Sequence, residues 1–346
     1  MKKYVLAAVG LFIKFFSAHG QDIQFSQFYA APLYQNPAFA GSAHIWRFAA
    51  HNRLQWPGIR STLTSSSLSR FTTAYISADG YSEKYKSGFG LIAMRDWQAG
   101  STLASTEIGA LYSYEIDLSP TFTLRPGLQA SYAQRSIDYS RLRFPQDFND
   151  QTGYTGNTYA EFGSAIRRYA DISSGLLLYS DKLWGGLSFH HINRPNQSML
   201  GEVARLPMKY AITGGYKFHL KDRKYLAYLE RTGEVTLTPT IHYKAQGKSD
   251  QTDVGLYLIY DQLMAGLWYR GIPFKKLASN LHNNESIVIL MGWKYEGWSI
   301  GYSYDFVVSK LATVRAGGAH ELNITYLYNK SKHRKPMKRL PCPSLF

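Results

Sequence analysis

Trp46-Arg47-Phe48-Ala49-Ala50-His51-Asn52-Arg53-Leu54-Gln55-Trp56 decides the fold. Trp46, Phe48, Ala50, Leu54 and Trp56 alternate with Arg47, His51, Arg53 and Gln55. Successive side chains of a strand point to opposite faces, so this stretch has one oily, aromatic face and one charged face. The rhythm returns further on. Tyr210, Ile212, Tyr216, Phe218 and Leu220 alternate with Lys209, Thr213, Lys217, His219 and Lys221. An aromatic outer face over a polar inner one is the pattern of a barrel with lipid outside and water or a plug within.

Outward from that stretch, the texture predicts about fourteen strands. They are Ile45–Trp56, Ser69–Ala78, Ser87–Arg95, Leu103–Asp117, Phe122–Arg135, Asp171–Tyr179 and Leu183–Ile192, then Met208–Leu220, Glu234–Lys244, Thr252–Tyr260, Met264–Arg270, Glu285–Tyr295, Trp298–Phe306 and Ala319–Tyr328. An even number suits a single-chain transmembrane antiparallel β-barrel. Asp117-Leu118-Ser119-Pro120, Ser180-Asp181-Lys182, Asp261-Gln262 and Glu296-Gly297 read as tight periplasmic turns, with longer loops on the other side. The longest link is Ile137 to Ala170. In Phe122–Arg135 the oily set is Phe122, Leu124, Leu128, Ala130 and Tyr132, so Thr123, Arg125, Gln129, Ser131 and Arg135 must face the lumen. Gly175–Tyr179 and Ile287–Met291 are oily on both faces, which asks for an apolar filling inside or an ordinary two-layer core.

The chain divides into residues 1–20 as a signal peptide, 21–44 as a pre-barrel segment, 45–328 as the outer-membrane barrel and 329–346 as a basic periplasmic tail. Met1-Lys2-Lys3, an apolar Val5–Ile13 and Ala18-His19-Gly20 make the first part a secretory leader. The pre-barrel segment carries Phe25, Phe28, Tyr29, Tyr34 and Phe39 with Pro32, Pro37 and Gly41, and it is expected to tuck against or into the barrel. Beyond the leader no apolar run reaches the length of a spanning helix. Cys342 is the one cysteine of the chain, so no internal disulfide forms. The formal net charge is +15, with Lys330, Lys332, Arg334, Lys335, Lys338 and Arg339 crowded into the tail. An exported basic chain without a nucleic-acid motif points to anionic headgroups or an acidic protein and not to nucleic acid.

Several strings resemble one family. Gln24-Phe25-Ser26-Gln27-Phe28-Tyr29, Pro32-Leu33 and Asn36-Pro37-Ala38-Phe39-Ala40-Gly41 resemble the opening motif of the PorP/SprF family, membrane proteins of the type IX secretion system of Bacteroidetes. Arg53-Leu54-Gln55-Trp56 sits where that family has an Arg-x-Gln-Trp-like element. Gly301-Tyr302-Ser303-Tyr304-Asp305 and Gly317-Gly318-Ala319-His320-Glu321 are similar to its C-terminal signature, with Ala319 in place of the usual Ser. Pro341-Cys342-Pro343 approximates its closing Cys-Pro pair. The resemblance implies an outer-membrane barrel that works with secretion machinery. It also implies a role in export or surface attachment of large cargo proteins with a C-terminal targeting domain, gliding adhesins among them.

No enzyme site stands out. Gly301-x-Ser303-x-Asp305 is not a nucleophile elbow, and Ser303 with Asp305 reads as a polar layer facing the lumen. A Ser303–His320 contact across sequential strands is the arrangement a hydrolase would need. His190 and His191 are adjacent and point to opposite faces of a strand, so they cannot jointly ligate one metal without a bend. No phosphate loop or zinc motif occurs, and no cofactor is expected. The Asn36-Pro37 region either closes the periplasmic mouth or docks a partner. The function expected is non-catalytic cargo export or attachment, with a small-molecule or porin-like transport barrel as the alternative.

Overall fold

The computed structural model describes residues 22–59, 71–142, 148–149, 153–154, 164–199, 203–221, 235–278, 281–309 and 317–328. The expected signal peptide and basic tail, with Cys342, lie outside them.

Fourteen antiparallel staves close into a barrel. They are β1 Trp46–Gln55, β2 Phe71–Ser82, β3 Ser87–Gln98, β4 Leu103–Tyr114, β5 Thr123–Asp138, β6 Ser164–Tyr179 and β7 Leu183–His190. The circuit continues with β8 Lys209–Tyr216, β9 Val235–Gln246, β10 Ser249–Tyr260, β11 Leu263–Ala278, β12 Leu281–Tyr295, β13 Trp298–Val307 and β14 Ala319–Tyr328. Short pieces Ile116–Asp117 and Phe218–Lys221 prolong β4 and β8. Each stave pairs with the next, and β14 returns to β1 from Trp46↔Tyr328 to Gln55↔Ala319. Closure removes every open edge, which lipid demands because it offers the backbone no hydrogen bonds.

Burial is the inverse of a soluble protein. On β1, Trp46 and Phe48 are 50% and 44% exposed, while Arg47 and Arg53 are 4% and 2% exposed. On β5, Leu128 is 59% exposed and Arg125 fully buried. The oily set faces out and the charged set faces in.

All the expected strands are present; Ala319–Tyr328 has the expected ends, and the others differ at one end or both. β5 and β6 run on to Asp138 and back from Ser164, so the long link shrinks to 139–163. Arg135, Ser136, Arg167 and Arg168 carry the ladder past the apolar band, where alternation no longer marks it. Loop lengths depart from the expectation as well. The end expected to carry long loops also has the short links 99–102 and 247–248, while residues 222–234 join β8 to β9 at the short-turn end. That end, where the chain enters β1 and leaves β14, faces the periplasm by the barrel rule.

Inside sits the pre-barrel segment. Phe28–Ala30, Pro32–Gln35 and Pro37–Phe39 are single helical turns, with Pro at the first position of the last two. Phe25, Phe28, Tyr29, Leu33 and Phe39 form one core with wall residues such as Tyr75, Trp184 and Trp268. Leu177, Val288 and Leu290 belong to that core. They are the inward members of the two strands that are oily on both faces, and the segment is their filling.

Candidate functional site

The segment runs the height of the lumen. Its first described residue, Asp22, lies at the outer mouth: its amide donates to Gln246 Oε1 at 2.9 Å, and its carboxylate meets Lys209 Nζ at 2.7 Å. Its other end meets the periplasmic half of the wall. Arg47 grips Asp79 through Nε at 2.8 Å and Nη2 at 2.9 Å, and the Gly41 amide donates to the same carboxylate at 2.8 Å. Arg125 Nη2 donates to Ala40 O at 2.6 Å and pairs through Nη1 with Glu115.

Between these anchors lies a buried ionic cluster. The Ser26 and Gln27 amides donate to Glu321 at 2.7 and 3.0 Å. Ser26 Oγ donates to Asp305 Oδ2 at 2.6 Å and accepts from Arg53 Nη1 at 2.6 Å and Arg270 Nη2 at 3.2 Å. Arg53 also reaches Glu321 at 3.0 Å and Asp305 at 2.9 Å. Arg270 joins Asp305 at 2.9 Å and Asp253 at 3.0 Å. Gln27 Nε2 donates to Glu321 O at 3.0 Å and Ser303 Oγ at 3.2 Å, and Asn323 donates back to Gln27 Oε1. Buried charges are tolerated when paired and fully hydrogen-bonded, and removing one partner costs far more than the pair itself contributes.

A second lock lies on the periplasmic side, next to Arg125. Asn36 Oδ1 caps the following turn by accepting from the Ala38 amide at 2.9 Å. Its Nδ2 donates to the carbonyls of Leu176 at 3.2 Å and Leu187 at 2.9 Å, neighbours on β6 and β7. The approach needs glycine in the wall. A Cβ on Gly127 would stand 2.5 Å from Ala38 Cα, and one on Gly175 would collide with Asn36 Oδ1.

The motif residues divide by parity. Arg53, Ser303, Asp305 and Glu321 point inward from their strands and meet Ser26 and Gln27 of the segment in the ionic cluster, with Gly301 leaving room for Gln27. Gln24 accepts from Lys244 at 2.7 Å, and Phe25 packs 5.6 Å from Tyr75. Pro32, Asn36, Pro37, Ala38 and Gly41 are buried with the rest of the segment. Tyr302, Tyr304 and His320 point outward, with His320 bonded to Tyr302 at 2.8 Å and its ring 4.8 Å from Tyr304. Gln55 is half-buried, and the Trp56 amide donates to Gly318 O at 2.7 Å. The Ser303–His320 contact is absent because adjacent strands pair Ser303 with Glu321, which puts His320 on the other face.

The two histidines differ from expectation too. β7 ends at His190, and His191 takes φ +58°, which turns its ring inward beside the first. His190 Nε2 reaches Gln35 O at 3.2 Å. His191 bridges Asp171 at 2.9 Å and Asp22 at 2.7 Å. Burial alone would lower the His191 pKa, but the two carboxylates outweigh it and push it up to about 10. His191 is therefore a cation at neutral pH and clamps the outer end of the segment.

Arg270 and Asp253 escaped the sequence reading, although a signal existed. A two-residue turn at Asp261-Gln262 places Asp253 opposite Arg270, a complementary inward pair. Among the described residues no group of His, Cys, Asp and Glu is arranged to hold a metal. A cavity of about 150 Å³ remains beside the segment, lined by Asp22, Tyr34, Glu107, Gln129, Asp171 and His191 among others.

Comparison with known proteins gives one family. The family model described as type IX secretion system membrane protein PorP/SprF matches residues 17–326. No curated protein matches the sequence. Among solved structures, the toluene transporter TbuX of Ralstonia pickettii is similar at TM-score 0.49 and 10% identity, covering 87% of this chain and 93% of its own. A FadL homologue of Pseudomonas aeruginosa gives 0.43 and 12%, covering 87% and 94%. The outer membrane protein Omp33 of Acinetobacter baumannii gives 0.41 and 7%, covering 83% and 100%.

Proposed function

Because the chain belongs to the PorP/SprF family of type IX secretion system membrane proteins, we propose that it is a non-catalytic outer-membrane barrel that assists export or surface attachment of a cargo protein with a C-terminal targeting domain. A gliding adhesin is one such cargo. The observation that supports this reading is the buried cluster of Ser26, Arg53, Arg270, Asp305 and Glu321. It ties the filling segment to β1, β11, β13 and β14, so the lumen is braced and the barrel offers its outer surfaces and ends to partners.

Two measurements test it. In planar bilayers the purified barrel stays electrically silent. In cells lacking it, a cargo with the C-terminal targeting domain stays inside the outer membrane, and returning the gene restores surface display. A steady open pore together with normal cargo display refutes the reading and favours a small-molecule or porin-like transport barrel.

The tail 329–346 follows β14 at its periplasmic end, so we assign it to the periplasmic parts of the machinery. Deleting Lys330–Phe346 lowers cargo display. Full display after the deletion removes that role.

A further inference from the structure

Charge on the outward face of a membrane barrel needs a reason. Among the described residues, Arg95 and Arg168 are the two arginines at outward strand positions, and both are exposed. They belong to one row. Arg95 on β3 pairs with Thr106 on β4, Thr106 with Gln134 on β5, and Gln134 with Arg168 on β6. All four side chains are outward, and the row contains no acid. Three strand spacings separate the arginines, about 14 Å, the width of a sugar headgroup rather than of a single phosphate.

The height of the row is informative. One outward position nearer the periplasm, the same strands carry Ala93, Ile108, Tyr132 and Ala170. The apolar run continues down β5 through Leu128 to Leu124. From Leu124 to Gln134 is about ten residues, which at ~3.4 Å each and a tilt of ~40° spans about 26 Å, close to the height of an outer-membrane apolar band. On β5 the row stands where the apolar run ends, with Ser136 next, while Trp97 on β3 and Ile166 on β6 flank it one outward position further out, as an interfacial girdle does. It lies at the end away from the chain's entry into β1, which is the outer leaflet.

The guanidinium groups are prepared for an anion. Arg95 lies 5.3 Å from the Trp97 ring centroid, so its face is stacked and its in-plane N–H donors stay available. Arg168 donates Nε to Gln134 Oε1 at 3.2 Å, which fixes the fork and leaves the terminal nitrogens unused among the described residues. Neither arginine forms an ion pair with a described acid. A planar fork without a carboxylate matches phosphate bidentately.

We propose that Arg95, Thr106, Gln134 and Arg168 bind the phosphorylated headgroup of an outer-leaflet glycolipid, whose acyl chains lie down the wall over Ile108 and Tyr132. The site is independent of the cargo role and of the filled lumen.

Native mass spectrometry of the full-length protein in detergent tests it, with diphosphoryl lipid A, dephosphorylated lipid A and phosphatidylglycerol as probes. The wild type binds diphosphoryl lipid A at least tenfold more tightly than either other probe. The R95Q/R168Q variant loses at least tenfold of that affinity, about 1.4 kcal/mol, with an unchanged melting temperature in lipid-free detergent. The inward neighbour variant Arg167→Gln keeps wild-type affinity. Equal binding by wild type and R95Q/R168Q overturns the proposal. So does equal binding of phosphatidylglycerol, or an equal loss in Arg167→Gln.

Discussion

Replacing Arg53 with Met separates the segment from the wall at a single point. The guanidinium makes three contacts: Ser26 Oγ at 2.6 Å, Asp305 at 2.9 Å and Glu321 at 3.0 Å. Removing one member of a buried ion pair costs roughly 3–5 kcal/mol. Two compensations push this case to the lower end. Asp305 keeps Arg270 and the Ser26 hydroxyl, and Glu321 keeps the amides of Ser26 and Gln27. About 3 kcal/mol remains, which is roughly a hundredfold in the local opening equilibrium. Those two amides are the reporters, because their exchange with deuterium requires the Glu321 contacts to break. Hydrogen–deuterium exchange of a peptide spanning residues 22–30 should quicken about a hundredfold in Arg53→Met, while peptides from β5, β9 and β11 keep their protection. Unchanged exchange at 22–30 refutes the reasoning. A uniform loss across the barrel refutes it differently, by making Arg53 a support of the wall rather than of the segment.

Three more outcomes follow from the geometry. Gly127→Ala drives a methyl group against the Ala38 backbone, costs about 1–3 kcal/mol and lowers the melting temperature in detergent. Leu128→Lys, one residue on but facing lipid, costs about 2–4 kcal/mol near the bilayer centre, read by urea unfolding in liposomes. The His191 clamp titrates with a pKa raised above its ordinary value of about 6.5. It is therefore complete below that value, persists through neutrality and is lost as the pH rises through about 10. Limited proteolysis of the 22–30 region between pH 7 and 11 should show that step, and His191→Gln should abolish it.

The barrel was legible because lipid enforces a two-residue period along most strands, blurred at Gly175–Tyr179 and Ile287–Met291 where the inner face packs on the segment. Strand ends were less legible for a related reason. Toward the outer rim polar residues stand on both faces, so Arg135, Arg167 and Arg168 stay paired while the pattern fades. The convergence of Ser26, Arg53, Asp305 and Glu321 was hidden, since each string reads alone as a local motif and only closure of β1 on β14 joins them. His191 was misplaced because a left-handed backbone ended the alternation at His190, two residues short of Ile192.

The ionic cluster joins the two extremities of the polypeptide. Ser26 and Gln27 precede the opening stave, while Asp305 and Glu321 arrive on the closing pair. Contacts this remote in sequence form late and slowly. During insertion the cylinder must stay unzipped along β1 and β14 until the final staves come in. The segment's ionic contacts are complete only once those staves are in place, since both acids that hold Ser26 arrive on them. The last strand thus acts as a latch twice over, closing the cylinder on β1 and supplying the carboxylate that grips the stem.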